Sequence, residues 1–87
     1  MPVNLIHPSV LKLLEYDRIH HTEFTRTLQV YLTKERSQSR TAAAQHLHRN
    51  TLTYRLQRIR ELLDCDPDDD DIRLHLLLSF RFLPPPG

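Results

Sequence analysis

Leu52, Leu56, Ile59 and Leu63 recur at i, i+4, i+7 and i+11, a spacing that lines four apolar side chains along one side of an α-helix. The stripe predicts a helix over about 50–63 with one face committed to a core. Thr51, Tyr54 and Arg58, at i, i+3 and i+7, fall away from it. The same helix therefore offers solvent a hydroxyl, a phenol and a guanidinium, with Arg49 and Asn50 at its leading end. Immediately upstream, RTAAAQHL reads as a short helix over about 40–47, for which Ser39 is the expected cap. Two helices joined so tightly form a helix-turn-helix, whose second helix can enter a DNA major groove leading end first.

Charge is segregated along the chain in a way that the formal total of +1 hides. Between positions 36 and 60 stand six arginines (Arg36, Arg40, Arg49, Arg55, Arg58 and Arg60) and no acidic residue. The next stretch, 61–71, holds seven acidic residues and no basic one. A basic helix pair suits phosphate neutralisation, and the acidic segment is expected to point away from a polyanion.

Eighty-seven residues make one small domain, able to bury about 60% of the surface its extended chain exposes. The single glycine and the 3.6-residue periodicities predict an all-α chain of five helices with short joints. Residues 1–8 read as an N-terminal arm and 9–87 as a single helix-turn-helix domain. One cysteine, Cys65, can form no internal disulfide, which suits a reducing cytoplasm. No segment has the length and hydropathy of a membrane span or signal peptide. So little glycine for tight turns or phosphate loops argues against an enzyme.

Ser9 is placed to cap a first helix over about 10–18, with Val10, Leu13, Leu14 and Tyr16 to one side. Thr22 is placed to cap a second, over about 23–34, with Phe24, Leu28, Tyr31 and Leu32 as its buried stripe. The polar connector 34–38 contains no strong turn residue. In DCDPDDDD the alternating ligands and central glycine of a calcium loop are missing. The segment reads instead as a helix start, with Asp66 as cap, Pro67 at the first position and aspartates in the positive end of the helix dipole. The last helix, about 68–83, carries two apolar stripes. Ile72, Leu76, Phe80 and Leu83 can dock on the core. Leu74, Leu78 and Phe82 either lie under the first two helices or meet a second copy of the chain. Pro84, Pro85 and Pro86 end the helix.

Six histidines invite a metal hypothesis, but neither His20–His21 nor His46–His48 has the i, i+4 spacing of a zinc motif. No metal or other cofactor is expected. No serine–histidine–carboxylate set can be argued from spacing.

Thr41-Ala42, His48-Arg49-Asn50-Thr51-Leu52, Tyr54-Arg55-Leu56 and Ile59 resemble the C-terminal helix-turn-helix domain of PucR/CdaR-type bacterial transcription regulators. Flanking matches at Leu14-Glu15-Tyr16-Asp17, Thr27-Leu28 and Tyr31-Leu32 carry the resemblance from about residue 9 to residue 82. Gln45 departs from it, standing where the family usually has leucine. The segment is more distantly similar to the DNA-binding end of the nucleoid protein Fis, whose residues aligned with His48, Arg49, Thr51 and Tyr54 approach the duplex. The resemblance implies a double-stranded DNA-reading module of a regulator, in the cytoplasm with the nucleoid. It also implies a homodimer and an N-terminal sensor domain lying outside this chain.

The expected DNA-binding set is Arg40, Thr41, His48, Arg49, Asn50, Thr51, Tyr54, Arg55 and Arg58. Asn50, Thr51 and Tyr54 are assigned to base edges, Arg49 to a guanine or a phosphate, and Arg40, Arg55 and Arg58 to phosphates. The alternative is a helical dimerisation or protein-interaction module whose basic face meets an acidic protein. RNA binding is disfavoured because Tyr54 stands nearly alone as an aromatic platform.

Overall fold

In a computed structural model, residues 6–83 are described. They form α1 (Pro8–His20), α2 (Phe24–Thr33), α3 (Gln38–Gln45), α4 (Arg49–Leu62) and α5 (Asp70–Phe82), with no strand among them. The five expected helices are present, and their ends differ from the sequence reading in instructive ways.

α1 is capped by His7, not Ser9. The His7 Nδ1 accepts from the Ser9 N–H at 3.0 Å, and Pro8 takes the first helical position, where a missing N–H costs nothing. Ser9 is buried against the start of the α4–α5 link, and its hydroxyl accepts from the Asp64 N–H. α2 is not capped by Thr22 or by any residue adjacent to its start. The Asp17 carboxylate, from within α1, accepts from the Phe24 N–H and the Thr25 N–H, both at 2.9 Å, and from both threonine hydroxyls of Thr22 and Thr25. α3 begins two residues earlier than expected, with Ser37 as its cap in place of Ser39. α5 begins later. Asp69 accepts from the Asp71 and Ile72 N–H groups, whereas Asp66 closes a preceding turn by accepting from the Asp68 N–H.

Four residues adopt left-handed backbone: His21, Glu35, Arg36 and His46, with φ between 55° and 61°. None is glycine, so each carries the Cβ crowding that glycine avoids. They sit where α1, α2 and α3 end. After α2 the Arg36 N–H returns to the Tyr31 carbonyl, so the connector is a helix-terminating turn built without turn residues.

α2 packs against each of the other four helices. Phe24, Leu28, Tyr31 and Leu32 on α2 meet Val10 and Leu13 of α1, Ala42 of α3, Leu52, Leu56 and Ile59 of α4, and Leu76 and Phe80 of α5 in one core. Each fully buried leucine stabilises the fold by about 1.5–3 kcal/mol relative to an exposed one. Leu14, expected to join this core, is exposed. The departure at Gln45 has a partner to match it, since the Gln45 amide oxygen accepts from the fully buried Thr27 hydroxyl at 2.8 Å. A polar contact between α2 and α3 takes the place of an apolar one.

Of the two α5 stripes, one is buried. Leu76 and Phe80 lie in the core, with Ile72 and Leu83 half-covered beside them. Leu74, Leu78 and Phe82 stay 58%, 45% and 54% exposed, so α1 and α2 do not cover the second stripe. Of the expected N-terminal arm, residues 1–5 lie outside the described residues, as do Pro84, Pro85 and Pro86. The described end of the arm is fastened. Ile6 packs on the core, the His7 N–H donates to the Ser79 hydroxyl at 2.7 Å, and the His7 ring meets the His75 ring edge-on at 4.8 Å.

Candidate nucleic-acid interface

α3 and α4 are joined by His46, Leu47 and His48. His46 takes the left-handed conformation that closes α3, and its N–H returns to the Ala42 and Ala43 carbonyls. The Leu47 N–H also returns to the Ala42 carbonyl, at 2.9 Å, while the Leu47 side chain packs on the core. The extended backbone of His48 then starts α4, and its Nδ1 accepts from the Asn50 N–H at 3.1 Å. An Nδ1 that accepts requires the proton on Nε2, so the outer edge of this exposed imidazole is a donor. The helix-turn-helix is thus present, with a histidine capping its second helix.

Leu52, Leu56 and Ile59 are 0%, 2% and 1% exposed, and Leu63 just beyond the helix is also buried. Their burial fixes the rotation of α4 and so decides what faces out. Arg49, Asn50 and Thr51 at the leading end are exposed, and Tyr54 is 66% exposed. Arg55 is half-buried. Gln57, outside the expected set, shares the outward face. Its position three residues after Tyr54 and seven after Asn50 was the signal available in the sequence. Thr53 faces α3 and is tied to it through its hydroxyl and Gln38.

Thr41 leaves the expected set. Its side chain is fully buried, and its hydroxyl donates to the Ser37 carbonyl at 2.6 Å. It secures the first turn of α3 from inside and is closed to a duplex.

The arginine field is smaller than the sequence implies, because the acidic segment folds back on part of it. Arg60 donates to the Asp68 carboxylate and to the Tyr31 hydroxyl, both at 3.2 Å, and lies over the Tyr31 ring. Arg36 donates to the Asp68 carbonyl at 2.8 Å and approaches Asp70. Arg58, expected on a free face, pairs with Glu61 at 2.9 Å and lies over the Tyr16 ring. Its guanidinium pKa is raised above the ordinary value, first by Glu61 and then by Tyr16. Among the described residues, Arg40, Arg49 and Arg55 have neither an acidic partner nor an aromatic one. Those three lie on α3 and on the leading two turns of α4. Charge is therefore uncompensated at one end of α4 and paired at the other.

Among the described residues, no three histidine, cysteine or acidic side chains converge to hold a metal ion, and no helix is long and apolar enough to cross a membrane. His46 and His48 serve the turn and the cap.

Over residues 24–82 the sequence matches a known family, the PucR C-terminal helix-turn-helix domain. The chain belongs to that family. The match begins at α2 and runs through α5, so it includes the helix pair and the two helices that hold it. This PucR-type domain is also 33% identical over 73 residues to a protein of Bacillus subtilis (strain 168), the DNA-binding transcriptional activator AdeR. That alignment covers 84% of the chain and 17% of the relative, so the chain spans a small part of the protein it resembles. No solved structure matches at a significant level.

Proposed function

We propose that the chain is the sequence-specific double-stranded DNA-reading module of a PucR-type transcription regulator, with α4 entering the major groove. The observation that carries the reading is the state of α4's outer side. Asn50, Thr51 and Tyr54 are exposed, with no side-chain partner among the described residues, and the helix pair that carries them also carries the unpaired Arg40 and Arg49. Asn50, Thr51 and Tyr54 face base edges. Arg49 contacts a guanine or a phosphate, and His48 donates to the backbone through Nε2. Arg40 and Arg55 hold phosphates, and Arg58 joins them by exchanging Glu61 for a phosphate.

The same reading makes the domain a homodimer on two half-sites, joined through Leu74, Leu78 and Phe82. It is a binding module of the nucleoid-bearing cytoplasm, governed by a sensor domain N-terminal to it. The name of the relative, a DNA-binding transcriptional activator, supports the DNA reading.

Selection of bound oligonucleotides from a random pool tests it. A recovered inverted repeat is the expected result. In a salt titration, Arg40→Ala is expected to flatten the slope of log affinity against log salt by about 0.9, the share of one phosphate. Arg36→Ala, whose guanidinium is already engaged, leaves the slope alone. Equal affinity for all duplexes at moderate salt would remove specific readout.

A second reading has its own observation. The exposed Leu74, Leu78 and Phe82 stripe suits a helical interaction module whose basic face meets an acidic protein. It requires a stable dimer by sedimentation together with no retardation of duplex DNA.

A further inference from the structure

We infer that Gln57 is the last base-reading residue of α4 and that it selects an adenine. The inference rests on the DNA reading above and adds to it a residue, a base and a limit.

At 100° per residue, Asn50, Tyr54 and Gln57 fall within about 60° of arc, on the side of α4 opposite Leu52, Leu56 and Ile59. All three are exposed, and the Gln57 amide has no hydrogen-bond partner among the described residues. This separates it from Gln38 and Gln45, whose amides accept from Thr53 and Thr27 within the fold. Gln57 is held to no structural task. Seven residues at 1.5 Å each place it about 10 Å beyond Asn50 along the helix, about three base steps of a duplex. A helix lying along the groove thus brings the Gln57 amide to base edges three pairs from the position that Asn50 meets. A carboxamide offers one donor and one acceptor side by side, the complement of adenine N7 and N6.

The limit comes from Glu61. It lies four residues beyond Gln57 on the same line, exposed, with its carboxylate turned to Arg58. After it come Asp64, Asp66 and the aspartates of the link. A negative helix end is repelled by the phosphates that wall the groove. Base contact therefore stops at Gln57, and the segment of each half-site read by α4 spans about four base pairs.

The experiment is oligonucleotide selection with the full chain and with Gln57→Ala, followed by anisotropy titrations of both on the selected site and on scrambled duplex. Because Gln57 is exposed and unbonded, the variant is expected to melt with the parent, which circular dichroism checks. The parent should enrich adenine about three pairs from the Asn50 position, by about 5- to 150-fold over the other bases. Gln57→Ala should lose that preference alone, keep the rest of the motif, and keep the slope of affinity against salt. An unchanged motif overturns the inference while leaving the DNA reading standing. So does a uniform loss on every duplex, which would mark a backbone contact. If the parent itself enriches no motif, the DNA reading falls and this inference with it.

Discussion

Replacing Asp17 with alanine should destabilise a helix to which Asp17 does not belong. Its carboxylate accepts four hydrogen bonds at the start of α2: the Phe24 and Thr25 N–H groups at 2.9 Å, the Thr25 hydroxyl at 2.7 Å and the Thr22 hydroxyl at 2.5 Å. No side chain next to α2 performs this service. Losing an N-terminal cap costs about 0.5–2 kcal/mol, and a hydrogen bond to a charged acceptor about 1.5–3 kcal/mol when its partner is left buried. Asp17, Thr22 and Thr25 are half-exposed, so water recovers much of the second quantity. A loss of about 2 kcal/mol follows, which for a domain of this size lowers Tm by roughly 8–16 °C. Far-ultraviolet circular dichroism during thermal unfolding measures it. Thr22→Ala, which removes one of the four bonds, is the control and should cost under about 1 kcal/mol. The reasoning fails if Asp17→Ala melts within about 2 °C of the parent, or if Thr22→Ala costs as much.

Other expectations follow from the joints and the termini. His46→Gly and Glu35→Gly, at φ 56°, relieve left-handed crowding and should each stabilise by about 0.5–1 kcal/mol in urea unfolding; a destabilised variant would show that no such crowding exists. His7 has its pKa lowered from 6.5, first by burial and then by the neighbouring His75. The unfolded chain thus binds this proton more readily, so the stability His7 contributes is full above about pH 6.5 and is lost as pH falls below it. Protonation also occupies the Nδ1 that caps α1, so the loss approaches about 1 kcal/mol, the worth of a cap. His7→Asn keeps a capping acceptor and does not titrate; its stability should fall less than the parent's between about pH 7.5 and pH 5, and parallel profiles would refute the assignment.

What the sequence made legible was the part of the fold encoded within single helices. Apolar periodicity located four of the five helices and the alanine-rich run located α3, and the burial of Leu52, Leu56 and Ile59 followed from spacing alone. The same periodicity put Asn50, Thr51 and Tyr54 outside. The errors fall where a residue's role depends on a partner that periodicity does not reveal. Thr22 looked like the cap of α2, but Asp17 approaches from another helix with a full carboxylate. Thr41 looked like an interface residue, but its hydroxyl is satisfied inside α3. Arg36, Arg58 and Arg60 read as free cations because the run 36–60 holds no acid, whereas Glu61 meets Arg58 one turn further along α4, and Asp68 and Asp70 arrive when the link folds back. Gln57 stands on a face that spacing alone makes readable, but a neutral amide adds nothing to a charge pattern.

The return of the α4–α5 link onto Arg36 and Arg60 has a kinetic consequence. It leaves the molecule with positive charge at α4's leading end and negative charge about 20 Å away at its trailing end. A body of nearly zero total charge feels little pull toward a polyanion, yet a body so polarised feels a torque. On the proposed DNA reading it turns in the field of a duplex like a compass needle, presenting Arg49 before any atom touches. The aspartates would then govern how often a collision is productive, and salt would slow association by blurring the orientation as well as by weakening the grip.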